Sequence, residues 1–133
     1  MSQQAIRAAF ESRLDSFATA QGLTVTWENV ATSEPDGLYL QASLLPAPTR
    51  SDDLAGDHRA YRGVFQVLIV APINNGAGPA EAIADAFADA MPLRLTSGAL
   101  TITVVQPVSI APALQSETRY TVPVSVFYRA DTI

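Results

Sequence analysis

No stretch limits the fold more than residues 61–91, YRGVFQVLIVAPINNGAGPAEAIADAFADAM. It reads as a long strand, a glycine-rich turn and a helix. Tyr61, Phe65, Val67, Ile69 and Ala71, with Gly63 among them, form one apolar face at period two. On the other face, Arg62 and Gln66 are polar, and Leu68 and Val70 turn apolar. A strand that is dry on one side and drying on the other is expected at the centre of a sheet. Pro72 ends the ladder, because proline has no N–H to donate.

The rest of the chain supplies partners for that strand. Ile6, Phe10, Leu14 and Phe17 lie four, four and three residues apart, so residues 2–20 read as an amphipathic helix, with Ser2 as its N-cap and Gly22 as its C-terminal cap. Residues 23–28 switch to period two, with Leu23, Val25 and Trp27 inward. Residues 29–37 form a loop. Residues 38–45 alternate again, with Leu38, Leu40, Ala42 and Leu44 inward against Tyr39, Gln41 and Ser43. A second helix is expected over 79–91, where Pro79 occupies the first turn, Ile83, Phe87 and Met91 form the buried stripe, and Ala80, Ala84 and Ala90 thicken it. Residues 93–96 read as a short strand, and 99–105 place Leu100, Ile102 and Val104 inward. Residues 108–115 are ambiguous between Pro107 and Pro112. Residues 119–129 carry Tyr120, Val122, Val124, Val126 and Tyr128 on one face, and Pro123 implies an edge position or a bulge. The expectation is one α+β domain over residues 1–133. Its antiparallel or mixed sheet has about five strands, and two helices pack on one face.

Composition excludes several functions. The chain has 133 residues, 48% of them hydrophobic, enough for one real core. Cysteine is absent, which removes disulfides, thiol catalysis and thiolate metal sites. All eight basic residues are arginine, so Schiff-base chemistry and the phosphate-loop lysine are absent as well. A net charge of −5 argues against a specific nucleic-acid groove, which needs clustered cations. No run reaches the length of a membrane span, and the N-terminus, which carries Glu11 and Asp15, lacks the blocks of a signal peptide.

The motifs give no catalytic, cofactor or metal assignment. The turn NNGAGPAEA has Glu81 where a dinucleotide fingerprint needs its third glycine, and no Gly-Lys pair follows, so it reads as a connector into a helix. His58 stands alone beside Asp57, after Asp52 and Asp53. A small hydrolase or metal-dependent site built on Asp57 and His58 is the alternative to solvated loop charges, yet no second His and no nucleophile elbow accompanies them. Glu81, Asp85 and Asp89 recur at helical spacing as an acidic stripe, either solvated or facing arginines of a neighbouring subunit. The outward strand positions likewise read as a solvated face or as one covered on assembly. Residues 46–60 (PAPTRSDDLAGDHRA) form the longest polar stretch, and loops of that length are often functional.

Together, IRAAFESRL, LYLQASLLPAPT, the loop ending in DHRAYRGVFQVLIVAP, the glycine-rich turn with its helix, and YTVPVSVFYR resemble a bacteriophage-related family similar to phage tail terminators, minor tail proteins of lambda-like siphophages. The most specific pieces are the His58–Tyr61–Gly63–Gln66 run and the closing PVSVFYR. The resemblance implies a structural virion protein of a phage or prophage, without cofactor. Such a protein is made in the host cytoplasm and located in the virion tail. It is a subunit of a homo-oligomeric, hexameric ring that caps the tail tube protein and meets a head-completion protein. DNA passes through such a ring, and no membrane is involved. From exposed loop composition, the contact loops are expected at 46–60 and 73–78, with Arg50, Asp57, His58, Arg59, Arg62, Asn74 and Asn75 as interface candidates.

Overall fold

The computed structural model describes residues 2–28, 37–49, 59–73, 76, 78–92, 94–97, 100–116 and 119–132. In chain order the elements are α1 (Ser2–Gln21), β1 (Thr24–Thr26), β2 (Tyr39–Pro46), β3 (Arg59–Pro72), α2 (Gly78–Ala90), β4 (Arg94–Ser97), β5 (Leu100–Val104), β6 (Ser109–Ile110), β7 (Leu114–Gln115) and β8 (Arg119–Thr132). The α+β class holds, and the expected pair of helices and mixed sheet are present. Among the described residues the sheet has eight strands where about five were expected; the two-residue β6 and β7 fall in the ambiguous stretch 108–115. Main-chain order across the sheet is β1-β2-β3-β8-β5-β4, with β6 and β7 also pairing to β8. Strands β1 and β2 run parallel; the other described pairs are antiparallel.

The helix side forms the core. Ile6, Phe10, Leu14 and Phe17 of α1 are all buried, as their spacing requires. Burying each such side chain is worth roughly 1.5–3 kcal/mol. The Phe10 ring stacks on Phe65 of β3 at 4.9 Å and meets Tyr128 of β8 at 5.4 Å. Phe17 meets Phe87 of α2 edge-on at 5.4 Å, so both helices occupy the same face of the sheet. Gly22 ends α1 with φ of +71°, while Leu23 N–H bonds the Ala18 carbonyl at 2.8 Å and Gly22 N–H bonds that of Thr19 at 3.2 Å. This double closure is a Schellman cap and requires the left-handed residue that glycine supplies. In α2 the buried stripe is Ala80, Ala84 and Phe87, and Met91 just past its end is buried with them. Ile83 is half-buried at its flank and Ala90 is exposed, because the helix is rotated to bring its alanines closest to the sheet.

The central strand is as expected: β3 pairs along its whole length with β8 and from Gly63 to Val70 with β2. Pro123 is a correction, since β8 is interior. One edge of β8 pairs with β3 and the other with β5, β6 and β7. The proline is tolerated through a local gap: its carbonyl accepts from Ala111 N–H at 2.9 Å, between the end of β6 and the start of β7. The N–H that proline lacks points at that interruption, so the ladder to β3 loses nothing.

Candidate functional site

Register divides the sheet into two faces with different chemistry. On the helix face Phe65, Val67 and Ile69 of β3 oppose Val126, Val124 and Val122 of β8, all nearly inaccessible. Gly63 opposes Tyr128 on this face, and a Cβ on Gly63 would lie 2.5 Å from the Leu45 carbonyl oxygen and 2.7 Å from Tyr128 Oη. The glycine is therefore a close-approach position. The Tyr128 hydroxyl over it is buried without a hydrogen-bond partner, and burial pushes the phenol pKa up.

The helix-free face is banded. One row runs Arg62 of β3, Arg129 of β8 and Thr103 of β5, with Arg94 of β4 next in register. The adjacent row runs Leu45, Val64 and Phe127, and continues to Val105, whose N–H bonds the Phe127 carbonyl at 3.0 Å. Leu45 and Val105, at the two ends of this apolar row, are 49% and 53% exposed. The third row, Ser43, Gln66, Ser125 and Ser109, is polar. At the far end Tyr39 is buried rather than solvated: Val70 stands opposite and the Arg119 guanidinium lies 5.6 Å from its ring centre.

Of the expected interface residues, Arg62 is placed on this face, although "loop contact" does not describe it: it sits inside β3. Its Nε is buried without a hydrogen-bond partner, and Arg129 stands directly across from it. Opposed like charges in neighbouring strands are unfavourable. Arg129 is held in a two-pronged pair with Asp131, with contacts of 3.0 and 3.1 Å. Arg59 begins β3 opposite Thr132. Arg50, Asp57, His58, Asn74 and Asn75 lie outside the described residues, as does the Arg59 side chain. The two expected contact loops do not share an anchor. One leads into Arg59 and the other leaves Pro72, at opposite ends of a strand about 43 Å long at 3.3 Å per residue.

Two further features involve charge. Glu28 Oε1 accepts from Arg7 Nη1 at 2.8 Å and from the Leu44 N–H at 2.6 Å. β1 pairs with β2 only as far as Gln41, so this carboxylate covers a donor on the edge that β1 leaves open. The Arg7 bond and then the Leu44 bond hold the Glu28 pKa below the usual carboxylate value. On the helix side, the α2 carboxylates Glu81, Asp85 and Asp89 are exposed. Glu81 and Asp85 line a groove of about 220 Å³ between α2 and the β6–β7 arm, with Ile110, Pro112, Tyr120 and Val122. Among the described residues no group of three or more His, Cys, Asp or Glu side chains could hold a metal ion, and no helix is long and apolar enough to cross a membrane.

Sequence reasoning missed the apolar row and the Arg62–Arg129 opposition. Val64, Phe127 and Val105 were visible as apolar residues on the wrong parity of their strands, but their alignment depends on pairing between strands far apart in the chain.

These features, two helices on one side of a mixed sheet and a banded, helix-free surface on the other, define a small α+β protein with two chemically distinct faces. The chain belongs to the phage tail terminator protein family, whose model matches residues 5–128. It is a structural protein of the virion tail. One solved structure that bears no functional name is 42% identical, with a TM-score of 0.85 over 100% of this chain and 98% of its own. A chain from the virion of a native gene transfer agent particle shares the fold at 17% identity, with a TM-score of 0.71 over 98% of this chain and 97% of its own. No curated protein sequence matches the chain.

Proposed function

We propose that this chain is the repeating subunit of a homo-oligomeric, six-membered ring that caps the finished tail tube and presents it to the head-completion protein. The observation that carries this reading is membership of the tail terminator family across nearly the whole chain. The subunit acts by shape: a closed ring over the tube end removes the surface on which the next tube layer would polymerise. Closed rings need a head-to-tail contact between different patches of each copy. The two end loops, 46–60 and 73–78, are assigned to contacts at opposite ends of the subunit, consistent with the separation of their anchors along β3. Arg50, Asp57, His58, Arg59, Asn74 and Asn75 are their candidate contact residues. The residues 1–133 act as one domain, synthesised in the host cytoplasm before joining the virion. The net charge of −5 suits a ring through which DNA slides without being held.

Light scattering over a wide concentration range, with and without purified tail tubes, tests the reading. A species of six times the 14.1 kDa chain mass, free or on tubes, is expected. A chain that stays monomeric and leaves tubes bare would refute it.

A further inference from the structure

Two patches on opposite sides of the sheet complement each other. The helix-free face presents the apolar row from Leu45 to Val105 beside Arg62. Leu45 and Val105 are about half exposed, and the Arg62 Nε is buried without a partner. The α2 side presents Glu81, Asp85 and Asp89, none in an ion pair among the described residues; Glu81 and Asp85 line a groove shared with Ile110, itself 43% exposed. Each patch therefore joins exposed large aliphatic side chains to charge of one sign, and the signs are opposite. Arg129 is neutralised by Asp131, which leaves Arg62 as the cation of the helix-free patch, and three like carboxylates along one helix are locally unfavourable in the lone subunit. Bringing the two patches together offsets the carboxylate repulsion and removes apolar surface from water.

We propose that subunits join head to tail, with the helix-free sheet face of one copy seated on the acidic α2 groove of the next. The occupant of each patch is a second copy of this chain. Because the patches lie on opposite sides of the sheet, one partner cannot cover both at once. Such a head-to-tail contact is the kind a ring uses and a two-fold pair does not. This inference rests on the ring-subunit reading and adds a sheet-to-helix contact to the loop contacts assigned there.

The test uses charge exchange in the full chain: Arg62→Glu, Asp85→Arg, and both substitutions together, with assembly followed by light scattering and by tube binding. Each single variant is expected to weaken association at least tenfold, because like charges then meet across the contact. The double variant, whose two patches are again opposite in sign, recovers assembly, and so does an equal mixture of the two single variants. Val105→Asp, at an exposed position, weakens association without lowering Tm. Single variants that assemble like the wild type, or a double variant no better than Arg62→Glu alone, would overturn this contact while the wild-type ring stands. A wild type that assembles neither alone nor on tubes overturns both the contact and the ring.

Discussion

The two faces of the sheet are built from alternate residues of the same strands, yet they obey different rules. On the helix face Phe65, Val67 and Ile69 meet Val126, Val124 and Val122, and every neighbour is apolar and inaccessible. One residue away, Val64 and Phe127 are half-buried, and Arg62 stands across from Arg129. The first face is what packing density demands of a core. The second sets Arg62 beside an Asp131-paired Arg129 and leaves large aliphatic side chains in water, at a cost to the lone subunit. That difference separates a surface shaped for folding from one shaped for contact.

Five substitutions probe the contrast. The largest effect is expected at Phe65, whose ring stacks on Phe10: Phe65→Ala should cost about 3–5 kcal/mol in denaturant unfolding. Its neighbour Val64→Thr, on the helix-free face, should cost less than about 1 kcal/mol. Equal losses at both positions would erase the distinction between the faces. Next is Gly63→Ala, where the new Cβ would meet the Leu45 carbonyl, Tyr128 Oη and Pro46 Cα at 2.5–2.9 Å. A loss of about 1–3 kcal/mol follows from such overpacking. An unchanged Tm there would mean that the strands separate freely at the glycine.

Glu28→Gln is smaller and depends on pH. The native carboxylate pKa is lowered, so its ionisation stabilises the fold above the ordinary carboxylate pKa, and that contribution is lost as pH falls through the lowered native value. The Tm gap between wild type and Glu28→Gln should therefore be widest near neutrality and close in acid. A gap that is constant with pH would assign the loss to hydrogen-bond geometry alone. The smallest expected effect is Tyr128→Phe. Removing a buried hydroxyl that has no partner should be neutral or stabilising by up to about 1 kcal/mol. A clear loss in thermal unfolding would show that a water or another group satisfies that oxygen.

Much of the fold was legible. The period-two runs in β2, β3 and β8 place Leu40, Ala42, Leu44, Phe65, Val67, Ile69, Ala71, Val122, Val124, Val126 and Tyr128 in the core, where the structure has them, and the Ile6–Phe17 stripe places α1. The Gly22 cap follows from the need for a left-handed residue, which is a local matter. The misreadings have a common origin. Pro123 reads as an edge residue because proline lacks a donor, but only the pairing of β6 and β7 reveals that an interior strand has a gap at that point. Tyr39 reads as solvated because it alternates with core residues, and Arg119, eighty residues later in the chain, covers it. Ala90 reads as buried because small apolar residues flank the stripe, while helix rotation is set by the sheet beneath.

The candidate contact surface was legible only in its ingredients. Arg62 and the Glu81–Asp85–Asp89 stripe can be picked out from the sequence, and so can the absence of cysteine and lysine that narrows the chemistry. Side-chain alternation is a property of each strand by itself, so the chain determined its strands, its helices and the core side of each. Neighbours are different. That Arg62 faces Arg129, that Leu45, Val64 and Phe127 line up across three strands with Val105 just beyond β5, and that the acidic stripe lies on the opposite side were decided by tertiary structure. Register between strands separated by scores of residues is set by the packing of the whole core, and no local period encodes it.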